Sequence, residues 1–361
     1  MLAEFEKPME IPMPVQQSTR VLNSAVVAAA LVCGLLAAPA LLTAQKPYHI
    51  VDRWKLGGEG GWDALVADPA GHRLYLTHGP RVEVVDTQTG KPVGAITGLQ
   101  GTHCVALDDA GKFGYISDGR ANAVVVFDRT TLATVATIPA GQNPDGLVFE
   151  PATQTVWAFN GRSNDASVID AATRKVVATI PLPGKPEFAI GDGKGTIYDN
   201  LEDKSEVIRL DAKGKKLTGE WALGCEGPTG LALDIAGGRL FSACGGKKMA
   251  VTDAKTGKQL ATAAIGDGPD GAEWDAAHKL AFAPNGRSGT LTVIDAAAPG
   301  YPAIEELPTL RGARTIAYDS TADRVYLVTA EFGPTPEPTA EMPRPRPPVL
   351  PGSFSVLVIG R

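Results

Sequence analysis

Aromatic side chains are scarce, at 6% of the 361 residues, and there are only four cysteines and five histidines. Small aliphatic residues must therefore fill any core. Four cysteines are too few for a disulfide scaffold, and no CxxC pair or His/Cys cluster has zinc-ligand spacing. Neither a haem-attachment CxxCH nor a copper-like histidine cluster occurs. An excess of basic charge is also missing: 34 Lys and Arg stand against 40 Asp and Glu, for a net charge of −6. A chain of this balance has no general positive field for phosphate backbones, which argues against nucleic acid as a partner. What is present is 44% hydrophobic and 20% charged residues, the balance of a globular protein. The 41 glycines and 28 prolines imply many tight turns. Length alone suggests two domains, unless an internal repeat overrides it.

Arg20 is followed by a mostly apolar, small-residue run, residues 21–44, and then by polar Gln45 and Lys46. Small residues at Ala38-Pro39-Ala40 and at Ala44 mark candidate cleavage sites, so residues 1–44 read as an N-terminal region with a secretory signal peptide. The expected location is the periplasm or the medium, with no stable membrane insertion after cleavage. The alternative is an uncleaved inner-membrane anchor, because the run approaches the roughly 20 residues needed to span a bilayer. Cleavage would remove Cys33 and leave Cys104, Cys225 and Cys244.

Residues 45–361 form one domain built on a repeat. An acid following an apolar run recurs at Asp68, Asp108, Glu150, Asp192, Asp234, Asp275 and Asp319, at spacings of 40, 42, 42, 42, 41 and 44. A second comb, the aspartate ending a Val/Ile-rich run, falls at Asp86, Asp128, Asp170, Asp211, Asp253 and Asp295. These acids precede turn sequences and are expected to bond turn backbone. One unit contains apolar stretches at Gly146–Glu150, Thr155–Asn160, Ala166–Asp170 and Lys175–Pro181, parted by Gly, Asn, Asp and Pro turns. Four short strands in about 42 residues describe a propeller blade, so the expected fold is an all-β, seven-bladed β-propeller of four-stranded blades. The last unit supplies three strands and Tyr48–Lys55 supplies a spare one. That N-terminal strand should complete the last blade, close the ring and leave the chain monomeric.

Leu74-Tyr75-Leu76-Thr77-His78, Val156-Trp157-Ala158-Phe159-Asn160 and Val325-Tyr326-Leu327-Val328-Thr329 each precede a Val-rich strand. These segments resemble the YVTN repeat, and the whole of 45–361 resembles exported bacterial YncE-like β-propellers, a WD40-like architecture. The resemblance implies a binding or scaffold protein of the cell envelope and carries no shared catalytic motif. A YncE-like branch also implies DNA binding, which the acidic balance opposes.

In a propeller, the loops entering the innermost strand and those joining the second to the third strand share one face. The residue five before each anchor acid gives a ring at that channel rim: Asp63, His103, Asp145, Glu187, Thr229, Asp270 and Arg314. The ends of the second strands add His78, Asp118, Asn160, Asn200, Cys244 and Asn285. Such an acid-rich mouth suits a cation or a cationic or polyhydroxylated small ligand, a glycan, a peptide or an envelope protein. No cofactor is expected beyond a bound metal cation, for which His78, His103 and Asp145 are the candidate ligands. An alternative is a lyase or hydrolase using His78, His103 and rim carboxylates as acid and base. A Gly-Arg pair also repeats after the second strand, at Arg120, Arg162 and Arg287, and Arg suits carboxylate or phosphate recognition.

Counting back from Asp234 opposite Arg239 places Thr229 opposite Cys244, with Cys225 a short loop away. An oxidising compartment then allows a Cys225–Cys244 disulfide; free thiols are the alternative. Residues 333–352 form a proline-rich insertion in the last blade, expected to be extended and weakly packed.

Overall fold

Alternating apolar residues bounded by acid-led turns produce 28 strands in the computed structural model, which describes residues 46–361 apart from 340, 341 and 344. The expected signal segment at 21–44 lies outside the described residues. No helix among the described residues is long and apolar enough to cross a membrane.

The strands assemble into seven four-stranded antiparallel sheets. Six follow simple chain order, as in the third blade: Pro144–Glu150, Thr155–Asn160, Asp165–Asp170 and Lys175–Pro181. The seventh is composite. Ile316–Asp319, Arg324–Thr329 and Ser355–Gly360 are completed by His49–Lys55 from the other end of the chain. Seven apolar clusters lie one at each junction between neighbouring blades. An open row of seven blades has only six junctions. The seventh, where Tyr326 and Val356 of the last blade meet Trp62 and Leu74 of the first, shows that the ring is closed. Closure buries both faces of every blade, which no single sheet achieves alone.

The comb acids hold turns. Asp86 Oδ1 accepts from the Gln88 and Thr89 amides at 3.0 and 2.8 Å, and Asp128 and Asp253 repeat the pattern. The anchor acids cap the turn between first and second strands, as Asp234 does for the Gly237 amide at 2.9 Å.

The C-terminal Arg361 bolts the closure. Its guanidinium lies 2.7 Å from His278 Nδ1 and 3.5 Å from Asp275 in the sixth blade, and 3.4 Å from Asp323 in the seventh. It also stacks on Tyr48, 4.6 Å from the ring centre.

The proline-rich insertion is better anchored than its composition suggests. Its base forms a short ladder, with Phe332 opposite Val349 and the Gly333 amide donating to the Pro348 carbonyl at 2.8 Å. Both Phe332 and Val349 pack on the core between the first and last blades. Proline blocks donation only at its own nitrogen, so Gly333 and Leu350 supply the amides that pair.

Candidate functional site

Six of the seven ring residues are placed by a defect repeated in the innermost strands, and Arg314 lies just before the innermost strand of the seventh blade. In the first blade Trp62 pairs with His78 but Leu65 with Leu76, so two residues on the inner strand oppose one on its partner. The same extra residue occurs at Thr102/Val105, Pro144/Leu147, Pro186/Ala189 and Pro228/Leu231. In the sixth blade Pro269 bridges Asn285 before pairing resumes at Glu273 and Phe282. Asp63, His103, Asp145, Glu187, Thr229 and Asp270 all lie inside these bulges. A bulge unpairs and re-aims its extra residue, here placing one candidate side chain from each of six blades in the ring. Space is tight: a Cβ on Gly146 would come within 2.3 Å of the Glu187 carbonyl oxygen.

The bulges are pinned by side chains that the repeat alignment did not single out. Thr77 Oγ1 donates to the Ala64 carbonyl at 2.9 Å, and Ser117 Oγ donates to the Asp145 carbonyl at 2.6 Å. Thr315 Oγ1 donates to the Asp63 carbonyl at 2.7 Å. A small hydroxyl next to the end of a second strand is the signal that would have found Thr77 and Ser117.

Five ring residues form a continuous arc across five blades. His103 Nδ1 lies 2.8 Å from Asp63 Oδ2 and 3.7 Å from Asp145 Oδ1. On its other side Asp63 meets Arg314 at 3.4 Å, and Arg314 Nε donates to Asp270 at 2.6 Å. Arg314 also donates to the Trp62 carbonyl at 2.8 Å. Glu187 shares Lys185 with Glu202, each carboxylate 2.5 Å from Nζ. Thr229 instead bonds the Pro269 carbonyl at 3.1 Å.

The crowding moves proton affinities. Burial opposes charge on His103, but the Asp63 hydrogen bond and the charges of Asp145, Asp63 and Glu187 outweigh it and raise the imidazole to about 9. Burial, then Asp63, raises Asp145 against the opposing pull of His103. Burial and Asp145 raise Glu187, while burial and Asp63 raise Asp270. Below them Asp199 is fully buried, and neither carboxylate oxygen has a hydrogen-bond partner. Burial, then the charge of Glu187, holds it well above the usual carboxylate range.

The second set of candidates is used differently. His78 is buried, stacks on Phe354 with centroids 4.0 Å apart, and holds Arg81 through Nδ1 at 3.1 Å. Among the described residues the metal-compatible trio at the mouth is Asp63, His103 and Asp145, whose donor atoms lie within 4.8 Å of one another, and His78 is not part of it. Asp118 accepts from the Gln100 and Gly101 amides. Asn160 bonds Asp165 and Ser167, and Asn285 bonds Thr290 and Thr292. These polar groups support turns and neighbouring strands rather than facing the arc.

Two register expectations are corrected. Leu201, not Asn200, ends the second strand of the fourth blade, opposite Pro186. Asn200, one residue earlier, bonds the Thr229 and Gly230 carbonyls at 3.1 and 3.0 Å. Pro228, not Thr229, pairs with Cys244, because the bulge consumes one residue on the inner strand. Cys225 and Cys244 are joined, with sulfurs 1.98 Å and Cα atoms 6.0 Å apart, and Cys104 is a buried free thiol.

No family profile matches the chain. No curated protein matches it either. Solved structures show its fold. The chain is similar to Kuenenia stuttgartiensis hydrazine synthase, with TM-score 0.65 and 16% identity over 79% of this chain and 95% of that one. It is also similar to U3-55K, with TM-score 0.69 and 11% identity over 86% and 98%. The RRP9 WD40 repeats give TM-score 0.70 and 10% identity over 86% and 97%. The architecture is therefore a WD40-like seven-bladed β-propeller.

Proposed function

We propose that this chain is an exported binding protein that takes a small ligand with a cationic centre, such as a metal ion or an amine, at the mouth of its ring. The observation that carries the reading is the bulge arc Asp145–His103–Asp63–Arg314–Asp270 with Glu187 beside it. Asp145, Glu187 and Asp270 are each raised by burial and by neighbouring carboxylates, so the mouth carries more acid than its three cations His103, Arg314 and Lys185 neutralise. An added positive charge relieves that repulsion, and the gain is larger in a partly desolvated mouth than in bulk water. Export is supported by the apolar run at 21–44 and by the Cys225–Cys244 bridge, which persists in oxidising compartments.

Isothermal titration of the intact chain with calcium chloride, magnesium chloride and putrescine, with glucose as the uncharged polyol, tests this. At least one cation should bind saturably, and Asp145→Asn should weaken it tenfold or more. Absence of any saturable binding at low-millimolar concentrations contradicts the reading. Turnover of an ester or glycoside that is abolished by His103→Ala would favour the enzyme reading instead.

A further inference from the structure

Beside the acidic arc, between the first and second blades, lies a cleft of about 430 Å³ lined among others by Gly60, Gly61, Trp62, Gln100, His103 and Arg120. It shares Asp63 and His103 with the arc, and Arg120 adds a guanidinium at its far side. We propose that this cleft is a second half of the binding site and takes an oxyanion, a carboxylate or a phosphate, gripped by Arg120, His103 Nε2 and the backbone amides of Gly60 and Gly61. The proposal rests on the mouth being a binding site and specifies the ligand further: a small molecule with an anionic group in the cleft and its cationic centre over Asp145 and Glu187.

Three observations converge. Arg120 is exposed and, like Arg162 but unlike Arg287, which meets Asp267 at 3.5 Å, has no carboxylate within salt-bridge distance among the described residues; of the three only Arg120 lines the cleft. An uncompensated guanidinium with its planar fork is suited to bidentate oxyanion binding. The cleft is also built around missing side chains. A Cβ on Gly101 would come within 2.8 Å of Arg120 Cγ, and a Cβ on Gly119 within 2.6 Å of His103 Nε2. Those two glycines let the guanidinium stem and the imidazole lie against the backbone. Finally, Gly57, Gly58 and Gly60 adopt φ of 73°, 88° and 110°, a region that other residues enter only with strain. Among the described residues, the amides of Gly60 and Gly61 donate to no protein acceptor. With Nδ1 committed to Asp63, His103 has Nε2 left for a ligand.

The test is an NMR titration of the isotope-labelled intact chain with sodium acetate and, separately, sodium phosphate. The Gly60 and Gly61 amides and the His103 Cε1–H are the reporters. Saturable shifts are expected for at least one anion, and the tighter one identifies the oxyanion. Arg120→Gln should weaken it tenfold or more while Arg162→Gln, at the matching turn of the next blade, leaves it unchanged. No saturable shift with either anion, or shifts indifferent to Arg120→Gln, overturns the proposal. Putrescine binding that is lost in Asp145→Asn, together with no saturable shift from acetate or phosphate, would leave the acidic site standing while the oxyanion cleft fails.

Discussion

Replacing Asp63 by Asn tests the electrostatics of the mouth most sharply, because its carboxylate is the closest partner of His103 Nδ1, at 2.8 Å. His103 moves from an ordinary 6.5 to about 9 on folding. At about 1.4 kcal/mol per pH unit, that is on the order of 3 kcal/mol before screening of its partly exposed ring. Asp145, at 3.7 Å, remains in the variant and retains part of the effect. We therefore expect the imidazole to fall by at least about one pH unit, or ~1.4 kcal/mol. The folded-state value is the raised one, so the stabilisation is complete below about 6.5 and is lost as pH rises through about 9. The gap in unfolding free energy between wild type and Asp63→Asn should accordingly be widest near pH 6 and narrowest near pH 10. NMR titration of the His103 Cε1–H gives the proton affinity, and urea denaturation at the two pH values gives the gap. A wild-type His103 that titrates at its ordinary value, or one unmoved by Asp63→Asn, refutes the reasoning.

Three further outcomes follow from the same structure. Reducing the Cys225–Cys244 bridge, which closes a sequence separation of 19, should cost about 3 kcal/mol in urea denaturation, and the double Cys→Ser variant should show the same loss without reductant. Arg361→Ala removes one basic partner of fully buried Asp275, which keeps His278 at 2.6 Å, and unbolts the closing blade, so stability should fall by about 2 kcal/mol in the same assay. Asp199→Ala should raise the melting temperature, and by more at pH 8 than at pH 5, because an acid raised by burial destabilises the fold as pH climbs above its ordinary value.

The ring was legible because its signal repeats. Two acid combs at one period give the blades, and the spare strand at Tyr48–Lys55 gives the closure, both within a residue or two of the observed His49–Lys55. The seven ring residues were legible as an alignment column, but not the reason they converge. A bulge adds one residue without disturbing the apolar alternation on either side, so counting along the strand puts Thr229 where Pro228 stands. The fourth blade hid its slip for a related reason. Asp199 occupies the position held by Leu76, Ile116 and Ala158 in the first three blades, so the strand end falls at Leu201, one residue beyond Asn200. The side-chain pairings of His78, Asp118, Asn160 and Asn285 depend on contacts across turns and between strands, which no period encodes.

A crystal structure of the intact chain grown with whichever of calcium, magnesium or putrescine binds tightest tests the central claim most directly. The account predicts ligand density at the ring mouth, with its cationic centre within hydrogen-bonding or coordination distance of carboxylates from Asp145, Glu187 or Asp270. Density confined to the outer strands, or an empty mouth at saturating ligand, would contradict it.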